Sequence, residues 1–214
     1  MEAFKKHRIW LFFGVVILLP VAAFALFRWY GDRIAPLPYF GAGYTLESGD
    51  GPHFSVPSFA FVNEDGQLLD QAFVKGRIWV ANYFFMACPS ICPKMMADMR
   101  AVQIAFSGDD RVRIVSLTVN PEQDTPAQLK AYAVKRRIDL RQWQLGTGDK
   151  KALYRFARKG LGIAATDGDG GPNDFIHSDR FVLVDQDGHI RGYYDGTSPA
   201  EVGELVKDIR RLEE

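Results

Sequence analysis

The chain has 214 residues, and its 26 basic and 26 acidic side chains leave no formal net charge. That balance excludes the basic footprint of a nucleic-acid or polyanion binder. An apolar content of 47% with 13% aromatics excludes a disordered chain.

The N-terminal stretch MEAFKKHR is basic, and Ile9–Phe27 carries no charge. At about 1.5 Å per residue this run covers just under about 30 Å, one hydrocarbon thickness. Trp29 and Tyr30 suit the headgroup region. Residues 1–30 are therefore predicted to be a basic flank and a transmembrane anchor. Pro20 and the small-x-small triplet Ala23-Phe24-Ala25 offer a cleaved signal peptide as the competing reading. The run continues through Leu26 and Phe27, which favours the anchor. Both readings put the remainder outside the cytosol. Lys5, Lys6 and Arg8 vote for a cytoplasmic N-terminus, and Arg28 and Arg33 vote against it. No arginine- and serine-rich transit segment precedes the run, so the expected location is a bacterial inner membrane with the C-terminal part in the periplasm. Residues 31–52 are rich in Pro and Gly without periodicity and are predicted to be a linker to a domain over 53–214.

Within that domain, SFAFV (58–62), NEDG and QLL form a predicted hairpin. RIWVANYFF (77–85) and RVRIVSLTV (111–119) are continuous β-branched and aromatic runs, which predicts strands buried on both faces. KMMADMRAVQIAF (94–106), PAQLKAYAVKRR (126–137) and KKALYRFARKG (150–160) have helical spacing. RFVLVD (180–185) and IRGYYD (190–195) flank a QDGH turn. SPAEVGELVKDIRRLEE (198–214) is a last helix with Ser198 as its cap and Pro199 in its first turn. This order of elements predicts an α/β, thioredoxin-like sandwich.

The only two cysteines, Cys88 and Cys92, lie together in FFMACPSICPKM. Proline is favoured at the first helical position, so the helix is predicted to start at Pro93 with both thiols in the loop before it. The positive helix end is expected to lower their pKa values. Three uses stay open. A structural disulfide across so short a loop stabilises by only about 2 kcal/mol. A redox pair is possible, but its usual spacing is C-x-x-C, one residue shorter. A metal clamp accepts the wider loop, and two thiolates select a soft ion, Cu(I) above all, with zinc possible. Cu(II) needs a further donor. Of the four histidines, His7 lies in the basic flank, His53 opens the domain and His189 sits in a turn as an exposed polar residue. His177 ends the glycine-rich segment GDGGPND and precedes a predicted strand, so it is the candidate third ligand. Met95 and Met99 have core spacing and are read as packing residues rather than ligands.

Together these residues resemble the Sco (SenC) family of membrane-anchored copper proteins. The resemblance rests on FFMACPSICPKM, VNPEQDTPAQLKAYA and FIHSDRFVLVDQDG, in that order, and on the single anchor. It implies a copper site of Cys88, Cys92 and His177 that takes Cu(I) or Cu(II). It also implies delivery of copper to the CuA centre in subunit II of cytochrome c oxidase, with other periplasmic copper carriers as further partners. Some members of the family act as dithiol reductants of that centre's cysteines. A periplasmic thiol-disulfide oxidoreductase using Cys88 and Cys92 is therefore the alternative. Thioredoxin-like oxidoreductases are similar to one another in a cis-proline before the strand facing the dithiol, and FIHSDRF has none. Ser90 and Asn120 stand where the family commonly has aspartates, whereas Asp124 and Thr125 are kept.

Overall fold

The runs 77–85 and 111–119 form the middle of a single sheet, as their uninterrupted apolar character requires. The computed structural model describes residues 14–27, 30, 36–41, 45–47, 51–89, 91–163 and 178–213. The chain divides into two units, Met1–Pro36 and Leu37–Glu214.

In the first unit, residues 14–27 form helix α1, whose large apolar side chains are exposed, from Val16 at 50% to Phe27 at 76%. Among the described residues no helix is long and apolar enough to cross a membrane. The start of the apolar run, residues 9–13, lies outside the described residues.

Among the described residues of the second unit, nine strands form one sheet in the order β2-β1-β9-β8-β5-β6-β7-β3-β4. These are β1 (Tyr39–Phe40), β2 (Leu46–Glu47), β3 (Ala60–Asn63), β4 (Leu68–Asp70), β5 (Ile78–Phe84), β6 (Val112–Thr118), β7 (Trp143–Thr147), β8 (Arg180–Val184) and β9 (Ile190–Asp195). β5, β6 and β7 run parallel, while β8 pairs antiparallel with β5. Helices α2 (Gln71–Val74), α3 (Ile91–Ala105), α4 (Pro126–Arg136), α5 (Lys150–Arg155) and α6 (Pro199–Glu213) connect or cover the strands.

Alternation along β5 divides the core. Ile78, Val80 and Phe84 join α3, α4 and α6 on one face, and Trp79, Ala81 and Tyr83 join α5 and β3 on the other. On the first of these faces, a neutral polar chain runs across strands β7, β6 and β5. Trp143 Nε1 donates to Ser116 Oγ at 2.8 Å, and Ser116 donates to Asn82 Oδ1 at 2.5 Å. Asn82 Nδ2 then points to Met96 Sδ at 3.9 Å. Met95 and Met99 are fully buried, as their spacing predicts, and so is Met96.

Three elements differ from the sequence expectation. The segment read as a linker supplies β1 and β2, because Arg191 donates to the carbonyls of Leu37 and Pro38 and lies 4.0 Å over the Tyr39 ring. Strand β7 was not predicted, since RQWQLGT lacks a long apolar run. The helix expected over 150–160 is α-helical only to Arg155, and Phe156–Gly160 is a π-helical turn.

Candidate functional site

The dithiol lies where the parallel strands end. After β5 the chain turns through Phe85–Pro89, and the Cys88 amide donates to Phe85 O at 3.3 Å. Helix α3 begins at Ile91, two residues before the expected start at Pro93. The first-turn amides of a helix have no partner within it, so proline at the third position forfeits nothing. Cys92 is consequently a helical residue, and its amide points to Cys88 Sγ at 3.5 Å. The sulfur of one cysteine thus receives the first-turn amide of the other. Cys88 and Cys92 are not joined in a disulfide, and both are buried, at 8% and 6% exposure.

At Cys92, burial overturns the expected acidification by the helix end. The Cys92 thiol is pushed up to about 12, mainly because its surroundings disfavour charge. Nearby Cys88 and the Asp124 carboxylate add to the rise, and a hydrogen bond with the Phe85 backbone opposes it.

Asp124 fastens the loop from below. It is 2% exposed, accepts from Thr118 Oγ1 at 2.5 Å and accepts from the Met86 amide at 3.3 Å. Burial lifts its carboxyl above the ordinary range, and these two donors hold it down. Thr118 in turn accepts from the Asn120 amide at 2.9 Å, tying the segment after β6 to the loop after β5.

One wall of the site went unnoticed in the sequence. Tyr132 on α4 packs its ring 5.7 Å from Phe84, and the Arg136 guanidinium lies 5.0 Å from the centre of the Tyr132 ring. Arg136 also donates to Pro93 O at 3.3 Å, bridging α4 to α3. The Tyr132 hydroxyl is pushed above its ordinary pKa chiefly by burial, and the two sulfurs and Asp124 contribute. A tyrosine and an arginine four apart on one helix were the available signal.

His177, Ser90 and the segment 168–175 lie outside the described residues. Among the described residues no three His, Cys, Asp or Glu side chains are placed to hold a metal ion. His53 and His189 sit at the opposite end of the sheet. The His53 ring stacks on Tyr39 at 3.7 Å, and His189 Nδ1 lies 2.9 Å from Phe54 O. His189 is therefore partly buried rather than the exposed turn residue expected.

The SCO1/SenC family model matches residues 48–214. The chain belongs to the SCO1/SenC family. It is 31% identical over 160 residues to the SCO1 protein homolog of Bacillus subtilis, covering 74% of this chain and 82% of that protein. A solved structure of BsSco, described as a member of the Sco family of cytochrome c oxidase assembly proteins with a disulfide switch, is 30% identical with TM-score 0.63. That match covers 77% of this chain and 96% of BsSco. Copper-bound ScoI of Bradyrhizobium japonicum matches at TM-score 0.59 and 20% identity, over 74% of this chain and 99% of that one, a likeness of fold. The thioredoxin-like architecture expected for this SCO1/SenC protein is thus shared with its solved relatives.

Proposed function

We propose that this chain is a membrane-anchored, extracytoplasmic copper carrier that delivers copper to the CuA centre of cytochrome c oxidase subunit II. The observation that carries this reading is the coupled dithiol, in which the Cys92 amide reaches Cys88 Sγ inside a site closed by Phe84 and Tyr132. The donor chemistry fits. Two soft sulfurs in low coordination suit Cu(I), and an imidazole from His177 supplies the nitrogen that Cu(II) prefers. The site keeps water from the sulfurs while Ala87, Pro89 and Ile91 leave an exposed apolar rim for a partner carrying accepting thiols. Loading removes the thiol protons, and transfer exchanges a site sulfur for an incoming one. The anchor Ile9–Phe27 holds the carrier at the periplasmic face of the inner membrane, beside its acceptor.

The alternative, a thiol-disulfide oxidoreductase, draws on the short separation of the two cysteines and the disulfide switch described for BsSco. FIHSDRF lacks the proline that thioredoxin-like oxidoreductases share before the strand facing the dithiol, which favours the carrier.

The test is Cu(I) and Cu(II) competition on the reduced full chain, with the sulfur-to-Cu(II) absorption band followed. Cys88→Ser and Cys92→Ser are expected to abolish tight binding of both ions. His177→Ala is expected to retain most Cu(I) affinity while losing Cu(II) affinity and the band. Unchanged Cu(II) binding and an unchanged band in His177→Ala would remove the three-ligand site and put the oxidoreductase first.

A further inference from the structure

The face of the sheet opposite the dithiol carries a second concavity, of about 280 Å³. Its floor is a cluster of three rings. Phe59 and Phe61 are 5.7 Å apart, and Phe156 lies 5.1 Å from the first and 5.6 Å from the second. The π-helical turn Phe156–Gly160 forms one wall, and such turns often accompany functional sites. Gly160 is required there, because a Cβ in its place would meet the Phe156 ring at 2.6 Å.

The rim is cationic. Arg155 and Lys159 both line the cavity and are exposed, and four-residue spacing puts them on one side of the helical wall. Among the described residues neither side chain has an ion pair or hydrogen bond, and none that lines the cavity is acidic. Surface arginines and lysines elsewhere in the chain do find carboxylates, as Arg111, Lys130 and Arg141 show. An aromatic floor beneath two unpaired cations is complementary to a molecule with an apolar body and one anionic group.

We propose that this cavity binds a small organic carboxylate, with its apolar body against Phe59, Phe61 and Phe156 and its carboxylate between Arg155 and Lys159. Size limits the body. An apolar cavity of about 150 Å³ accepts one benzene, so the volume here takes one ring with a short side chain, or an acyl chain of similar bulk. Arginine offers the two-pronged donor geometry that carboxylates favour. The dithiol has no part in this site, so the inference stands apart from the copper reading.

The experiment is calorimetric titration of the full chain in zwitterionic lipid nanodiscs, with empty nanodiscs subtracted. The probes are 3-phenylpropionate, its neutral amide and hexanoate. The amide is expected to bind about tenfold more weakly than the acid, the equivalent of one charge-assisted contact. The double variant Arg155→Gln/Lys159→Gln, confined to exposed side chains, is expected to weaken the acid about tenfold and leave the amide unchanged. Tighter binding of phenylpropionate than of hexanoate assigns an aromatic body, and the reverse order assigns an acyl chain. Absence of binding by wild type, equal binding of acid and amide, or binding unmoved in the double variant overturns the proposal.

Discussion

Two buried aspartates hold turns at opposite ends of the same sheet, and they are held in different ways. At the end where β8 leaves the sheet, Asp185 accepts from Arg191 Nη1 at 2.9 Å and from the amides of Asp187 and His189. At the dithiol end, Asp124 receives a hydroxyl and an amide, and among the described residues no cation pairs with it. The first arrangement neutralises a buried charge and fixes a turn. The second leaves the charge uncompensated beside Cys92, where it opposes thiolate formation. One end of the sheet is built for stability, and the other disfavours charge on the Cys92 sulfur.

The largest effect is expected at the stable end. Arg191→Met strands the Asp185 carboxylate and should cost about 3–5 kcal/mol in urea unfolding, with Asp185→Asn/Arg191→Met recovering part of that loss. A single-variant loss below about 1 kcal/mol would show that the pair does not define this end. Next comes the neutral chain between the ends. Ser116→Ala leaves Trp143 Nε1 and Asn82 Oδ1 without their partner, and should cost about 1–3 kcal/mol by the same measurement.

Asp124→Asn sharpens the contrast. Both hydrogen bonds reach the same oxygen, Oδ2, so an amide oxygen in that place preserves them. Stability should change by less than about 1 kcal/mol. Iodoacetamide should alkylate Cys92 a few-fold faster at pH 8, because removing a nearby negative charge lowers the thiol pKa and raises the thiolate fraction. An unchanged rate would mean that Asp124 does not restrain the sulfur.

The smallest effect lies at the surface. The Asp195 carboxyl is held below its ordinary range by the Thr197 hydroxyl and amide. A depressed folded pKa contributes stability above the unfolded value of about 3.9, and that stability is lost as pH falls through the folded pKa. The destabilisation by Asp195→Asn should therefore be small at pH 7 and vanish towards pH 2. A difference that grows on acidification would reverse the assignment.

The sequence made the centre of the sheet legible because burial on both faces leaves runs such as 77–85 with no polar interruption. Both hairpins were legible from their turn residues, and α4 from its helical spacing; its start is held where Gln128 Oε1 accepts from the Thr125 amide at 3.2 Å. Strand β7 was hidden because polar Gln142, just before it, and Gln144 within it flank the buried Trp143. Strands β1 and β2 are two residues each and exist through Arg191, a contact more than 150 positions distant that no local pattern records. Within the site, both cysteines announced themselves by spacing and Asp124 by its motif. Tyr132 and Arg136 did not, because their role comes from the packing of α4 against α3. The sign of the Cys92 shift was misjudged because the helix end is visible in sequence and the depth of burial is not.

The amide of Cys92 depends on a sulfur that the proposed carrier would also use to hold its cargo. Hydrogen exchange at this single N–H therefore serves as a built-in gauge of where Cys88 Sγ is engaged. When that sulfur turns toward another atom, the amide loses its acceptor, and Pro93 beside it contributes no N–H to blur the reading. One resolved resonance would then follow the proposed loading and release in real time, without a chromophore or a label.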